Sequence, residues 1–369
     1  MYKNIETLLV SIPTIRPHKM AVATMHTQTL VLVKITTDDG FVGWGEATTI
    51  GGLGYAEESP ESIKTNIDSY FAPLMKSLSS ANLAQTLSVI NKNIQGNRFA
   101  KCAVQTALLD IQAQRLGLPL REVLGGRLRD SIPVLWVLAS GDTEKDIAEA
   151  RQMIAAKRHN VFKLKIGSRT VEADVEHVLA IKQALGADVS IRVDLNQAWT
   201  ELEANKGISL LQAGGVDLIE QPCTTENDDA MARLTRKFDI AIMADESLKG
   251  PETAYNLAKL NAASVFAVKI AQSGGLLESC EVGKLAKLAG IDLYGGTMLE
   301  GPVGTMAAAH VFSTFENLAY GTELFGPLLL TEEILKQPLQ YKNFELTIPS
   351  TPGLGIELDE NKIDNLRFN

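Results

Sequence analysis

Over the first 130 residues the hydrophobic and polar positions change period without settling into a repeat. Residues 28–35 alternate closely enough for a strand. Asp38-Asp39-Gly40 is a turn signal, and residues 41–47 can return as the hairpin partner. After Ser59 the spacing becomes helical, with Ile63, Ile67, Tyr70, Phe71 and Leu74 on one face. Ser59 is suited to cap that helix and Pro60 to open it. A second helix is predicted over 100–116, stopped by Gly117 ahead of Pro119. Strands followed by helices, without alternation, predict an α+β unit over residues 1–130.

Beyond residue 130 the pattern repeats. Short β-rich runs fall at 133–139, 161–167, 189–197, 216–222, 240–246, 264–270, 291–296 and 318–324. Their starts lie 24 to 28 residues apart, and each interval holds one amphipathic stretch long enough for a helix. Eight strands alternating with helices predict an α/β fold, a (β/α)₈-type barrel over 131–344. The α+β unit would cap it, completed by residues 345–369, where Pro352-Gly353-Leu354-Gly355 breaks the repeat. A doubly wound open sheet is the alternative, but its dinucleotide fingerprint is missing.

Composition narrows the partners. With 45% hydrophobic and 21% charged residues the 369-residue chain is an ordinary globular sequence with room for one or two domains. Its 44 acidic residues outnumber 35 basic ones, a net charge of −9, which disfavours nucleic acid and anionic membranes as partners. Cys102, Cys223 and Cys280 are odd in number and far apart, so neither a disulfide framework nor a structural zinc site is expected. No secretory pattern and no apolar run of ~18 residues is visible. The expected location is the cytoplasm.

The chemistry is expected at the C-terminal strand ends of the barrel. The second strand ends in Lys163-Leu164-Lys165, the third in Asp194-Leu195-Asn196, and the fourth carries Glu220. The fifth carries Asp245-Glu246, the sixth Lys269 and the eighth Glu323. Asp194, Glu220, Asp245 and Lys269 follow one another at the barrel period, so they take equivalent places on successive strands. One such carboxylate commonly caps a helix or pairs with a lysine. Three in register repel one another unless a cation joins them, and an all-oxygen set suits Mn²⁺ or Mg²⁺. Lysines on both sides of the metal suit proton transfer next to a metal-stabilised enolate. Gly295-Gly296 could cradle a phosphate or admit a close backbone approach, and Gly51, Gly52 and Gly54 could hinge a lid. His18, His26, His159, His177 and His310 avoid the expected strand ends and are read as structural.

The series Lys-x-Lys, Asp-x-Asn, Glu-Gln-Pro, Asp-Glu-Ser and Lys is similar to that of the enolase superfamily, within it the muconate lactonizing subgroup. The likeness covers essentially the whole chain, including the segments 50–55, 162–167, 294–301 and 322–327. It implies an enolase-like capped barrel and an isomerase, an intramolecular lyase converting cis,cis-muconate to muconolactone through a metal-stabilised enolate. The setting would be aromatic catabolism, the catechol branch of the β-ketoadipate pathway. By the same resemblance Asp194, Glu220 and Asp245 hold Mn²⁺ (or Mg²⁺), Lys165 donates the proton and Lys163 supports it electrostatically. Lys269 would face the other side of the substrate, and Glu323 would assist charge stabilisation. Ile50 and Tyr55 would lie on a cap loop over the substrate and Phe325 would line the pocket. Asn196 and Glu246 are added as groups that orient ligands or lysines. The implied partners are a small dicarboxylate and copies of the same chain, with an octamer implied by the family.

Three alternatives stay open at this point: chloromuconate as substrate, another reaction of the subgroup, and a non-catalytic metal-binding barrel. Ser273 and Phe325 are where a halogen preference would be set. The other reactions are o-succinylbenzoate synthesis and acyl-amino-acid or dipeptide epimerisation. The missing strand-end histidine argues against His-based racemases, and the missing Asp-x-Asp at the eighth strand against a dipeptide epimerase. A metal and three lysines would make the barrel mouth locally positive, which reconciles a dianionic substrate with the acidic chain.

Overall fold

The first strand of the cap, Tyr2–Lys19, pairs antiparallel with Thr24–Thr37, which pairs in turn with Val42–Thr48. The computed structural model describes residues 1–19, 24–79 and 82–368. The hairpin expected at 28–47 is present and longer than its alternation suggested. Tyr2–Lys19 was not legible as a strand, because Pro13 and Pro17 each remove a ladder donor. The pairing absorbs them in a register shift between Pro13 and His18.

Ser59 caps its helix through a capping box with Ser62, as its position predicts. Tyr70 departs from expectation and is exposed, while Ile63, Ile67, Phe71 and Met75 are buried at intervals of four. The cause is a π-helical turn over Ile67–Phe71, whose wider winding shifts the apolar face away from Tyr70. The next long helix, Arg98–Leu116, ends at Gly117 in the left-handed conformation. It lies directly on the third cap strand, where a Cβ at Gly45 would stand 1.8 Å from the Ala103 carbonyl oxygen.

Seven parallel strands follow as consecutive neighbours: Trp136–Leu138, Val161–Lys165, Ser190–Asp194, Leu218–Glu220, Ala241–Ala244, Val265–Val268 and Asp292–Gly295. Each of the first six is followed by a helix before the next begins. The expected first run is divided, since Ser131–Pro133 joins Tyr341–Lys342 and Glu345–Thr347 in a separate three-stranded sheet. The expected eighth strand at 318–324 is not formed. Thr322 instead makes isolated parallel bridges to Val134 on one edge and Gly295 on the other. Gly321, at φ +63°, takes the chain out of extended conformation just before them. At the far end of the chain, Arg367–Phe368 pairs with Leu9 and Val10 of the first cap strand. The Gly353-Leu354 segment bonds to Leu118, Leu120 and Asp110.

The antiparallel N-terminal sheet and the chain that follows the seven-stranded parallel sheet are joined by a buried carboxylate. Glu46, on the third cap strand, accepts hydrogen bonds from the backbone N–H groups of Gly301, Val303 and Gly304. These open the helix Pro302–Phe312, whose first N–H groups have no acceptor within the helix. Burial pushes the Glu46 carboxyl up to about 8, although the three N–H groups oppose the shift. Gln28 and Thr48 bond the carbonyl of Met298 beside it. Glu46→Ala is expected to orphan the three donors and to lower unfolding free energy by about 2–4 kcal/mol. Denaturant titration reads this, and an unchanged midpoint would show that the clasp adds nothing.

Candidate active site

The sheet register assembles the site. Lys165 pairs with Asp194 and Asp194 with Glu220, so these three form one row across adjacent strand ends. Glu220 is aligned with Met243, and Asp245 lies two residues further along, on the same face. One ligand atom from each of Asp194, Glu220 and Asp245 lies within 4.8 Å of the others, and all three residues are buried.

Lysines bracket this cluster. The fully buried Lys163 donates to Glu220 Oε2 at 2.8 Å and to Glu323 Oε2 at 2.7 Å, with Asp194 at 3.7 Å. Lys165 bonds Asp194 and lies 3.3 Å from Asn196 Oδ1; its side chain keeps 12% of its exposure, against 1% for Lys163. Across the site, Lys269 donates to Asp245 Oδ2 at 2.7 Å and to the Tyr55 hydroxyl at 2.7 Å. Tyr55 donates in turn to Asp245 Oδ2 at 2.9 Å. The cap loop therefore reaches the carboxylate cluster itself, and Ile50 is buried at the start of that loop. Phe325 is buried, its ring centroid 5.1 Å from that of Trp136. Asn196 bridges Asp194 and Glu246 through its backbone N–H and its side-chain amide.

The electrostatics follow from this crowding. Burial and the neighbouring Asp194 push the Glu220 carboxyl well above the usual range. Burial works against ionisation of Asp194 too, but Lys165 and Lys163 outweigh it and hold the carboxyl down to about 2. Burial also works against the Lys163 ammonium, yet Glu220 and Glu323 raise it well above the ordinary lysine range. Glu246 is raised to about 8 by burial and by Asp245. Glu220 Oε1 is buried without a hydrogen-bond partner among the described residues. An orphaned buried carboxylate oxygen within a repelling all-oxygen set fits a hard divalent cation.

Several residues around the site escaped the sequence reading. Gln221 accepts from the backbone N–H groups of Asp245 and Ser247, so it fixes the loop that carries Asp245. It has φ +34°, uncommon for a non-glycine residue, and the Glu-Gln-Pro triplet was the signal available for it. Gln272 donates to the Asp245 carbonyl oxygen at 2.7 Å. His18 is buried against Phe325, and burial followed by the Lys165 charge lowers it to about 3. Its position in the cap strand gave no signal of that proximity. Gly296 serves close packing: a Cβ there would stand 2.8 Å from Lys269 Cγ.

Two family models match the chain. One, the mandelate racemase / muconate lactonizing enzyme N-terminal domain, covers residues 4–125, and the other, the enolase C-terminal domain-like model, covers 145–362. Muconate cycloisomerase 1 of Acinetobacter baylyi is 69% identical over 368 residues, covering 100% of both chains. Muconate cycloisomerase 1-2 of Acinetobacter lwoffii is 60% identical over 365 residues, 99% of this chain and 95% of that one. A crystal structure of muconate lactonizing enzyme from Pseudomonas fluorescens, complexed with muconolactone, superposes with a TM-score of 0.98. It is 52% identical and covers 100% of this chain and 99% of that one.

Proposed function

This chain belongs to the mandelate racemase and muconate lactonizing enzyme family, and on that premise we propose that it is an isomerase converting cis,cis-muconate to muconolactone. The observation that carries the reading is the Lys165–Asp194–Glu220 row, in one register, with Asp245 and Lys269 facing it. The names of its full-length relatives support the same reaction.

In the reaction, an oxygen of one substrate carboxylate forms a C–O bond to the conjugated alkene. A proton is added to the carbon next to the other carboxylate, and one double bond is consumed. A divalent cation held by Asp194, Glu220 and Asp245 would supply electrostatic stabilisation of the negative charge that develops as the ring closes. Lys165 delivers the proton: its ammonium is the less buried of the pair and is oriented by Asp194 and Asn196. Lys163 is tied by two carboxylates and stays charged, so it acts as a fixed positive field beside the developing charge. Glu323 orders Lys163. Lys269 closes the opposite wall, and Tyr55, Ile50 and Phe325 enclose the substrate and keep water out. Asn196 and Glu246 hold Asp194 and Lys165 in place.

We assign the cap to residues 1–130 with 345–369 and the barrel to 131–344, with the bridges at Thr322 closing its eighth position. No helix among the described residues is long and apolar enough to cross a membrane. The reading places the enzyme in the cytoplasm, as a homo-oligomer using Mn²⁺ or Mg²⁺ in aromatic catabolism. The test is incubation with cis,cis-muconate and either metal. Loss of the diene ultraviolet absorbance with formation of muconolactone is expected. An inert mixture, or turnover of dipeptides or chloromuconate alone, would overturn the reading.

A further inference from the structure

The site's other charged groups stand at or within two residues of strand ladders, whereas Glu323 follows only the isolated bridges at Thr322. Its backbone N–H bonds the Gly295 carbonyl oxygen at 2.8 Å, and no strand constrains its side chain. The constraint comes from the neighbouring seventh strand. Tyr294, fully buried, donates its hydroxyl to Glu323 Oε2 at 3.0 Å. Lys163 donates to the same oxygen at 2.7 Å, so two donors converge on Oε2 and fix the plane of the carboxylate. Two cations also lie near the Tyr294 ring. Lys163 Nζ lies 5.4 Å and Arg192 Cζ 5.8 Å from its centroid. Arg192 is itself anchored to the Tyr320 carbonyl oxygen at 2.6 Å.

We propose that Tyr294 is a positioning residue for ring closure, its hydroxyl holding Glu323, and through Glu323 the Lys163 ammonium, in the orientation that faces the developing charge. The inference rests on the cycloisomerase reading above. Burial, reinforced by Glu323, raises the phenol well above its ordinary range, so the hydroxyl remains a donor and leaves the carboxylate as acceptor. With one donor instead of two the Glu323 carboxylate is free to rotate, which loosens the Glu323 side of the preorganised field while Glu220 still holds the Lys163 ammonium at 2.8 Å.

Tyr294→Phe keeps the ring beside the two cations and removes only the hydroxyl. The expected result is a fall in kcat of about 10- to 100-fold, the equivalent of one hydrogen bond to a charged group. KM, Mn²⁺ affinity and melting temperature should stay near the wild-type values. In a Glu323→Gln background the same substitution should cost little further, since Tyr294 acts through Glu323. Additive losses in the double variant, or an unchanged kcat in Tyr294→Phe, would overturn the proposal. So would a parallel fall of kcat, metal affinity and melting temperature, which marks a merely structural role. Wild-type turnover of muconate is measured alongside. Its absence refutes the cycloisomerase reading and the proposal with it, whereas a loss confined to the variant bears on Tyr294 alone.

Discussion

Lys165→Ala is expected to lower the turnover of muconate by about 10²–10⁴-fold, the usual contribution of a positioned general acid. Metal binding should survive, because Asp194, Glu220 and Asp245 are untouched and Lys163 remains 3.7 Å from Asp194. Lys165 is the substitution to test because its side chain is the less buried of the pair, 12% exposed against 1% for Lys163. Lys163→Ala would strand the buried carboxylates Glu220 and Glu323, and a stability loss of about 3–5 kcal/mol would obscure any catalytic effect. The paired measurement is kcat from muconate absorbance and Mn²⁺ affinity from calorimetry. Wild-type turnover by the variant would remove Lys165 from the mechanism.

Glu220→Gln is expected to abolish tight metal binding and reduce turnover by at least about 10³-fold, since the cation contributes several kcal/mol of charge stabilisation. Glu220 holds the middle place between Asp194 and Asp245, and its buried Oε1 has no hydrogen-bond partner among the described residues. The amide still accepts from Lys163, which keeps the fold intact. Removing one charge also relieves the repulsion that raises the Glu220 carboxyl. Two readouts follow. EDTA should stop the wild-type reaction, and Mn²⁺ or Mg²⁺ should restore it. Added Mn²⁺ should raise the melting temperature of the wild type and leave that of Glu220→Gln unchanged. Metal-independent turnover, or a variant still stabilised by Mn²⁺, would contradict the assigned ligand set.

The seven strands of the parallel sheet were legible because each is a short, largely buried apolar run separated from the next by helix. The eighth failed where Gly321 breaks the extended backbone, a local conformation that a hydrophobic run does not report. The first cap strand was hidden by Pro13 and Pro17, and Tyr70 was misplaced by a π turn that period-3.6 reasoning cannot anticipate. The strand-end placement of the charged residues was legible as well. Charged residues recurring at the barrel period must meet at one rim, and the structure brings Lys163, Lys165, Asp194, Glu220, Asp245, Lys269 and Glu323 into one linked cluster. Tyr294, Gln221, Gln272 and His18 carried no such period, since their roles depend on how far a side chain reaches across strands.

The sequence by itself determined the order of the seven parallel strands and their helices, the strand-end placement of the three carboxylates and the lysines, and the negative charge of the whole chain. Only the tertiary structure decided which lysine is fully buried and which keeps some exposure, which carboxylate oxygens are left without a hydrogen-bond partner among the described residues, and what orients Glu323. Order and spacing are properties of neighbours along the chain, and local propensity and burial period encode them. Hydrogen-bond partnership and field at a point depend on distances between residues as far apart as Lys163 and Glu323, set by the curl of the sheet and the docking of the cap.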